Sequence, residues 1–173
     1  MSDIIITEEY IQLLEKANDT AYKIVHGFKE RGLSLVLAES CTAGLVSSLI
    51  VNISGASDVL YGSFVCYTKE AKVSMLGLDC KKLEADGLVC RKTVSSMACG
   101  ALQKSGAKIS AAVTGFADTP SEEKGQAGTV WIAAAVKNGK ITEKEFHFTG
   151  SRNEVRMKAA VSVLETVHHI SVS

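Results

Sequence analysis

The segment Leu33-Ser-Leu-Val-Leu-Ala-Glu-Ser-Cys-Thr-Ala-Gly44 decides the fold of this chain, because it runs from a strand through a tight turn into a helix. The apolar residues of 33–38 predict a short strand. Residues 39–44 are mostly small or polar and predict a tight turn. A helix is expected to follow over about 42–52.

Helices and strands alternate on both sides of this segment. Upstream, an apolar stripe predicts a helix over 8–31, and Gly32 lies where a helix stop is expected. Downstream we predict further strands at 62–67, 108–113 (reaching Thr114-Gly115), 129–136 and 141–148, and helices at 70–76, within 83–89, at 93–105 and at 153–169. Residues 116–127 are polar and irregular, and Asn138-Gly139 predicts a hairpin turn.

This order of elements predicts an α/β fold of one domain spanning residues 1–173. We expect a three-layer α/β/α sandwich with a mixed, mostly parallel sheet and a C-terminal β-hairpin followed by a helix. In such sheets ligands bind at the carboxyl ends of the strands. Three segments are expected there, namely 40–44, 67–72 and 114–115.

The composition limits the function classes. Nineteen basic residues balance nineteen acidic ones, which argues against nucleic-acid binding. The amino terminus lacks a signal-peptide pattern, and no apolar run approaches the roughly 20 residues of a membrane span. The five cysteines are odd in number and show no CxxC spacing. We therefore expect a cytoplasmic protein with reduced thiols and no membrane contact.

Ser40 is the first candidate for chemistry, because it lies between a predicted strand and a helix start. The N–H groups of Cys41 or Thr42 can stabilise an oxyanion if Ser40 attacks a carbonyl. The alternative is that Ser40 or Thr42 only caps the helix. Cys41 is a second candidate nucleophile, although a small buried hydrophobe is the preferred interpretation of this residue.

A serine nucleophile needs a base. None of the four histidines has an evident route to Ser40; they are His26, His147, His168 and His169. Lys72 can serve instead if burial leaves its amine neutral, and the phenol of Tyr67 can relay a proton. The alternative for Lys72 is a solvated helical lysine.

Other ligand sites are less evident from the pattern. Arg152 and Arg156 lie four residues apart, so they share one helix face and can bind a phosphate, or they can form a solvated basic face. No group of Cys, His, Asp or Glu has metal-ligand spacing, and neither GxxxxGK[ST] nor GxGxxG after a strand is present. We therefore expect no metal and no cofactor.

Six ordered segments carry a resemblance to a known family. Residues 38–44, Ala-Glu-Ser-Cys-Thr-Ala-Gly, resemble the AESCTGG signature of the CinA carboxy-terminal domain family. The other segments are Ile53-Ser-Gly-Ala-Ser57, Gly62-Ser-Phe-Val-Cys-Tyr-Thr-Lys-Glu-Ala-Lys72, Ala111-Ala-Val-Thr-Gly115, Gly128-Thr-Val-Trp-Ile132, and Phe148-Thr-Gly-Ser-Arg152 with Arg156.

The resemblance implies an amidohydrolase that deamidates nicotinamide mononucleotide and works without a cofactor. By position, Ser40 matches the nucleophile, and Tyr67 and Lys72 match the groups that handle protons. The resemblance also implies that the nucleotide is contacted by Cys41, Thr42 and Gly44 of the turn, and by Thr114, Gly115, Arg152 and Arg156. Members of this family are commonly homo-oligomers.

The chain departs from the family pattern at several positions. Ala43 replaces a glycine, Lys69 an asparagine and Ser151 an aspartate. The glycine-rich IAGPxGG stretch is replaced by Phe116-Ala-Asp-Thr-Pro120 followed by Ser-Glu-Glu, and residues 87–92 carry two bases in place of two acids. A catalytically silent nucleotide-binding module of the same fold is therefore the alternative to the hydrolase.

Overall fold

The computed structural model describes residues 7–118 and 125–172, with side chains up to residue 170. The helices are α1 Glu8–Glu30, α2 Leu45–Val51, α3 Lys69–Leu76, α4 Cys80–Asp86, α5 Arg91–Ser105 and α6 Arg152–Val172. The strands are β1 Leu35–Glu39, β2 Leu60–Val65, β3 Ile109–Gly115, β4 Thr129–Val136 and β5 Ile141–His147.

The five strands form one mixed sheet in the order β2-β1-β3-β4-β5. β1 lies at the centre of the parallel part and pairs in parallel with both β2 and β3. β4 is antiparallel to its neighbours β3 and β5. The predicted mixed, mostly parallel sheet with a C-terminal hairpin and a final helix is confirmed.

Two apolar clusters cover the two faces of the sheet, because successive side chains of a strand point to opposite faces. Leu35 and Leu37 of β1 pack in the cluster formed with α1, α2 and α6. Val36 and Ala38 pack on the other face, in the cluster that includes residues of α3, α4 and α5. β1 is buried at all five positions, so the three-layer prediction is confirmed by its core.

Several element boundaries differ from the sequence prediction. α2 begins at Leu45 rather than near residue 42, because residues 41–44 form a turn. β2 begins at Leu60 and ends at Val65, so Cys66 and Tyr67 follow the strand. α4 begins at Cys80, where the carboxylate of Asp79 accepts hydrogen bonds from two backbone N–H groups.

The predicted irregular segment 116–127 is described at its two ends, and residues 119–124 lie outside the described residues. The predicted turn at Asn138-Gly139 is confirmed, and Asn138 adopts a left-handed conformation with φ 57°. No helix in the described part of the chain is long and apolar enough to span a membrane.

Helix α5 packs closely on the end of α3 at a glycine. A Cβ atom added at Gly100 would lie 2.5 Å from the carbonyl oxygen of Leu76, which is shorter than any real contact of this kind. Gly27 in α1 is different, since its nearest neighbour would be the flexible end of Arg31 at 3.4 Å.

The same substitution should therefore have opposite effects at these two glycines. Gly100→Ala should lower the free energy of unfolding by about 1–3 kcal/mol because it overpacks the α3–α5 contact. Gly27→Ala should raise it by up to about 1 kcal/mol, since alanine has the higher helix propensity. Urea denaturation of both variants measures the two shifts, and shifts of the same sign would contradict the packing described here.

Candidate active site

Ser40 is the first residue after β1, and its backbone continues the sheet for one more bond. The Ser40 N–H donates to the carbonyl oxygen of Val113 at the end of β3, at 3.1 Å. Residues 41–44 then turn into α2, and the N–H of Ala43 donates to the carbonyl of Ser40 at 3.0 Å. The hydroxyl of Ser40 is therefore placed at the carboxyl end of the central strand, and the residue is only 7% exposed.

The amine of Lys72 contacts this hydroxyl. Lys72 Nζ lies 3.0 Å from Ser40 Oγ, 2.9 Å from the carbonyl oxygen of Cys66 and 3.3 Å from that of Tyr67. The residue is 1% exposed, so the alternative of a solvated lysine is wrong. The reach is possible because Thr68 caps α3 and Lys72 lies on the buried side of this short helix.

The geometry around Nζ is suited to proton transfer. Carbonyl oxygens only accept hydrogen bonds, so two N–H bonds of the amine point to Cys66 and Tyr67. The remaining direction faces Ser40. An ammonium group donates its third proton to Oγ, whereas a neutral amine directs its lone pair to the Ser40 hydroxyl and accepts from it. The two carbonyl contacts therefore leave the amine directed at the hydroxyl of Ser40 as well.

Glu39 organises the turn around Ser40, and the sequence analysis did not single it out. Its carboxylate is 1% exposed. It accepts hydrogen bonds of 2.8 to 3.1 Å from the hydroxyls of Thr42 and Ser63 and from the backbone N–H groups of Gly44, Val46 and Ser47. An acid between an apolar strand and a helix start was the available signal, since helix N-termini favour negative charge.

The turn residues predicted to contact substrate have structural partners. The Thr42 hydroxyl donates to Glu39, and Gly44 has φ 93° at the start of α2 and donates its N–H to the same carboxylate. Within residues 7–118 and 125–172, no hydrogen bond to another residue uses the N–H of Cys41 or Thr42. These two amides therefore have no donor role in the hydrogen bonds that hold the turn.

Cys41 is a buried thiol rather than a competing nucleophile. Burial raises the pKa of Cys41 to about 12, although Lys72 and Arg156 nearby act in the opposite direction. A thiol with this pKa stays protonated throughout the physiological range, and the thiolate is the reactive form. The structure thus favours the interpretation of Cys41 as a small core residue.

The two arginines on the face of α6 have different surroundings. Arg156 donates from Nε to the carbonyl oxygen of Cys41 at 3.1 Å and from Nη2 to that of Thr42 at 2.9 Å. It therefore ties α6 to the turn, which was not predicted. Arg152 is exposed, and it donates to the hydroxyl of Tyr67 at 2.9 Å and to the carboxylate of Asp118 at 2.7 Å.

Tyr67 thus has two roles in the observed contacts. Its carbonyl oxygen accepts from Lys72, and its phenol oxygen accepts from Arg152. The side chain is half exposed at the mouth of the site. A proton relay through this phenol stays a prediction, since its hydrogen bond goes to Arg152.

Thr114 and Gly115 complete the carboxyl end of β3. Thr114 is buried, and its hydroxyl donates to the carbonyl oxygen of Leu88 at 2.9 Å. A Cβ atom at Gly115 would lie 2.7 Å from Val130 Cγ2 and 2.8 Å from the carbonyl oxygen of Thr129. The pairing of β3 with β4 therefore requires glycine at this position, whether or not a ligand approaches it.

The histidines lie on other parts of the fold. His26 packs its ring on Tyr22 in α1, and His147 Nδ1 lies 3.4 Å from the hydroxyl of Thr129 near the end of β5. His168 and His169 lie in α6, close to its C-terminal end. Among the described residues, no group of three or more His, Cys, Asp or Glu side chains is arranged to hold a metal ion.

Comparison with known proteins identifies a family and several relatives that match most of this chain. A sequence model of the CinA C-terminal domain matches residues 17–171. The nicotinamide-nucleotide amidohydrolase PncC of Enterobacter agglomerans is 36% identical, and the match covers 88% of this chain and 93% of that protein. The enzyme of the same name from Escherichia coli K12 is 38% identical over 84% of this chain and 88% of its own length.

Other relatives are longer. A CinA-like protein of Geobacter sulfurreducens is 35% identical over 95% of this chain, but the chain spans only 38% of that protein. A similar solved structure is that of the competence/damage inducible protein CihA from Agrobacterium tumefaciens. It is 34% identical, has a TM-score of 0.87, and the match covers 90% of this chain and 96% of that one.

The match spans nearly the whole sheet and both helical layers, and it includes the turn that carries Ser40 together with the helix that carries Lys72. The identity to the two amidohydrolases is well above the level at which only a fold is shared. This chain belongs to the CinA C-terminal domain family.

Proposed function

We propose that the chain is an amidohydrolase that converts nicotinamide mononucleotide to nicotinate mononucleotide and ammonia, with Ser40 as the nucleophile. The observation that carries this proposal is the contact between the buried Lys72 amine and the Ser40 hydroxyl. The substrate is suggested by two relatives that match most of this chain and are named nicotinamide-nucleotide amidohydrolases.

In the first step, the neutral amine of Lys72 accepts the hydroxyl proton while Ser40 Oγ attacks the carboxamide carbon. Burial disfavours the charged form of a lysine, and the two carbonyl acceptors hold the amine in place. The N–H groups of Cys41 and Thr42 stabilise the oxyanion of the tetrahedral intermediate. The electron-withdrawing pyridinium activates the carboxamide toward attack.

In the second step, Lys72 returns its proton to the leaving nitrogen, the C–N bond breaks, and ammonia departs. The acyl group is then esterified to Ser40. Water attacks this ester with Lys72 again as the base, and Ser40 leaves with the proton that Lys72 has taken from the water. One water molecule is consumed, and the products are a carboxylic acid and ammonia, which ionise to a carboxylate and ammonium, so atoms and charge balance.

The nucleophile can be assigned by comparing two neighbouring residues. Ser40→Ala should reduce ammonia release from nicotinamide mononucleotide by about 10³-fold or more, because the attacking oxygen is lost. Cys41→Ala should retain measurable turnover, since its buried thiol stays protonated. Ammonia release by Ser40→Ala at the wild-type rate would exclude the proposed chemistry.

A wild-type protein that binds the mononucleotide without turning it over would instead support the silent binding module. Calorimetric titration of the wild-type protein and of Ser40→Ala with the mononucleotide distinguishes this outcome. Under the proposed mechanism, Ser40→Ala still binds the substrate, because only the reacting oxygen is removed.

The proposed role of Lys72 as the general base can be tested with two variants in α3. Lys72→Met should lower kcat by about 10²–10⁴-fold, which is the usual contribution of general-base catalysis. Lys69→Met is the matched control, because Lys69 lies one turn earlier in the same helix and forms an exposed ion pair with Glu84 at 2.9 Å. Its kcat should stay within about twofold of the wild type, since an exposed pair contributes little. Equal losses in the two variants would contradict the assigned role of Lys72.

Glu39 positions the turn, and its carboxylate can be replaced without changing its size. Glu39→Gln puts an amide NH₂ among five donors, so at least one buried donor loses its acceptor, at a cost of about 1–3 kcal/mol. We expect a lower free energy of unfolding in urea together with a lower kcat.

The control for this variant is Glu145→Gln on β5, whose side chain is exposed and should tolerate the same change. A Glu39→Gln protein with wild-type stability and wild-type kcat would show that the five hydrogen bonds do not hold the turn.

A further inference from the structure

Arg152 has an acceptor on each of its two terminal nitrogens. Nη1 donates to Asp118 Oδ2 at 2.7 Å, and Nη2 donates to the phenol oxygen of Tyr67 at 2.9 Å. The side chains of Arg152 and Asp118 are both about half exposed, so this ion pair lies at the surface. The hydrogen-bonded carboxylate of Asp118 raises the pKa of Arg152, so the guanidinium is charged at every relevant pH.

This ion pair lies at the mouth of the proposed active site. Tyr67 links the ion pair to the site. Its hydroxyl accepts a hydrogen bond from Arg152, and its carbonyl oxygen accepts one from Lys72, whose amine contacts Ser40. For a substrate whose carboxamide lies at Ser40, Arg152 is a cation at the far end of the Tyr67 side chain. A guanidinium is well suited to bind a phosphate with two parallel hydrogen bonds.

Asp118 follows a backbone segment that is hydrogen-bonded to β4. Two residues earlier, the N–H of Phe116 donates to the carbonyl oxygen of Thr129 at 2.9 Å, and the Phe116 carbonyl accepts from Gly128 at 2.7 Å. These bonds extend the β3–β4 pairing just beyond the strands. Asp118 therefore lies two residues beyond an anchored position, and its carboxylate contacts Arg152.

We propose that Asp118 is a specificity-determining residue that occupies the Arg152 guanidinium and competes with the phosphate of a mononucleotide substrate. This inference rests on the proposed function and adds the determinant of substrate charge. A phosphate bears about −1.5 to −2 charges at neutral pH. To bind Arg152 it has to displace a carboxylate of like charge, whereas the corresponding riboside, which has no phosphate, meets no such competition.

The test compares two substrates that differ only in the phosphate, nicotinamide mononucleotide and nicotinamide riboside. The readout is the ratio of their kcat/KM values for ammonia release. Asp118→Asn should raise this ratio in favour of the mononucleotide by about threefold to tenfold, as expected for an exposed charge pair and one added repulsion. The rise should shrink in high salt, because exposed charges are screened.

Two controls separate this role from a general change in charge. Asp58→Asn removes the same charge from another exposed ion pair, with Lys29 at 2.6 Å, just before β2 and therefore at the opposite end of the parallel strands. It should leave the ratio unchanged. In an Arg152→Ala background, Asp118→Asn should shift the ratio less than it does in the wild type, because the competition for the guanidinium is gone and only the direct repulsion of the phosphate is relieved.

A binding experiment keeps the inference testable even if the chain hydrolyses neither substrate, which would refute the proposed function alone. Ribose 5-phosphate carries the phosphate but no amide, and calorimetry measures its affinity without turnover. Asp118→Asn should bind it about threefold to tenfold more tightly than the wild type does. An unchanged affinity together with an unchanged substrate ratio, or an equal shift in Asp58→Asn, would overturn the role of Asp118.

Discussion

The site depends on the buried carboxylate of Glu39. A carboxylate that is removed from water loses a large hydration energy, and only hydrogen bonds from the protein can offset that loss. Five donors meet it, and all of them come from the turn, the first turn of α2 and the neighbouring strand β2. The chain from 40 to 47 is therefore bound to one anion at the end of the central strand, and the direction of Ser40 follows from that constraint.

Lys72 is also buried, and its amine contacts the hydroxyl of Ser40. Its amine has carbonyl acceptors after β2, while Ser40 lies after β1, so the parallel pairing of these strands brings Lys72 and Ser40 together. The Cys66 N–H donates to the Glu39 carbonyl at 2.9 Å and extends this pairing by one step. Backbone pairing thus contributes to the short distance between Ser40 and Lys72.

The departures from the family pattern have different structural meanings. Ala43 adopts φ 50°, a left-handed conformation that costs a residue with a Cβ atom about 1–2 kcal/mol, and it is exposed. The chain tolerates this strain because Glu39 and Arg156 hold the turn from two sides. Lys69 forms an exposed ion pair with Glu84, away from Ser40. Asp118 is different, since it places a new carboxylate on a cation at the mouth of the site.

The sequence alone determined the order of helices and strands, the three layers and the place of the site. These follow from short-range patterns, namely apolar periodicity, glycine stops and the rule that ligands bind at the carboxyl ends of parallel strands. The sequence also placed Ser40 and Lys72 in two segments at the same edge of the sheet. The tertiary structure alone decided what each polar group contacts. Arg156 contacts the carbonyl of Cys41, 115 residues away, and Arg152 pairs with Asp118, 34 residues away. No local pattern in the sequence encodes contacts between such distant residues.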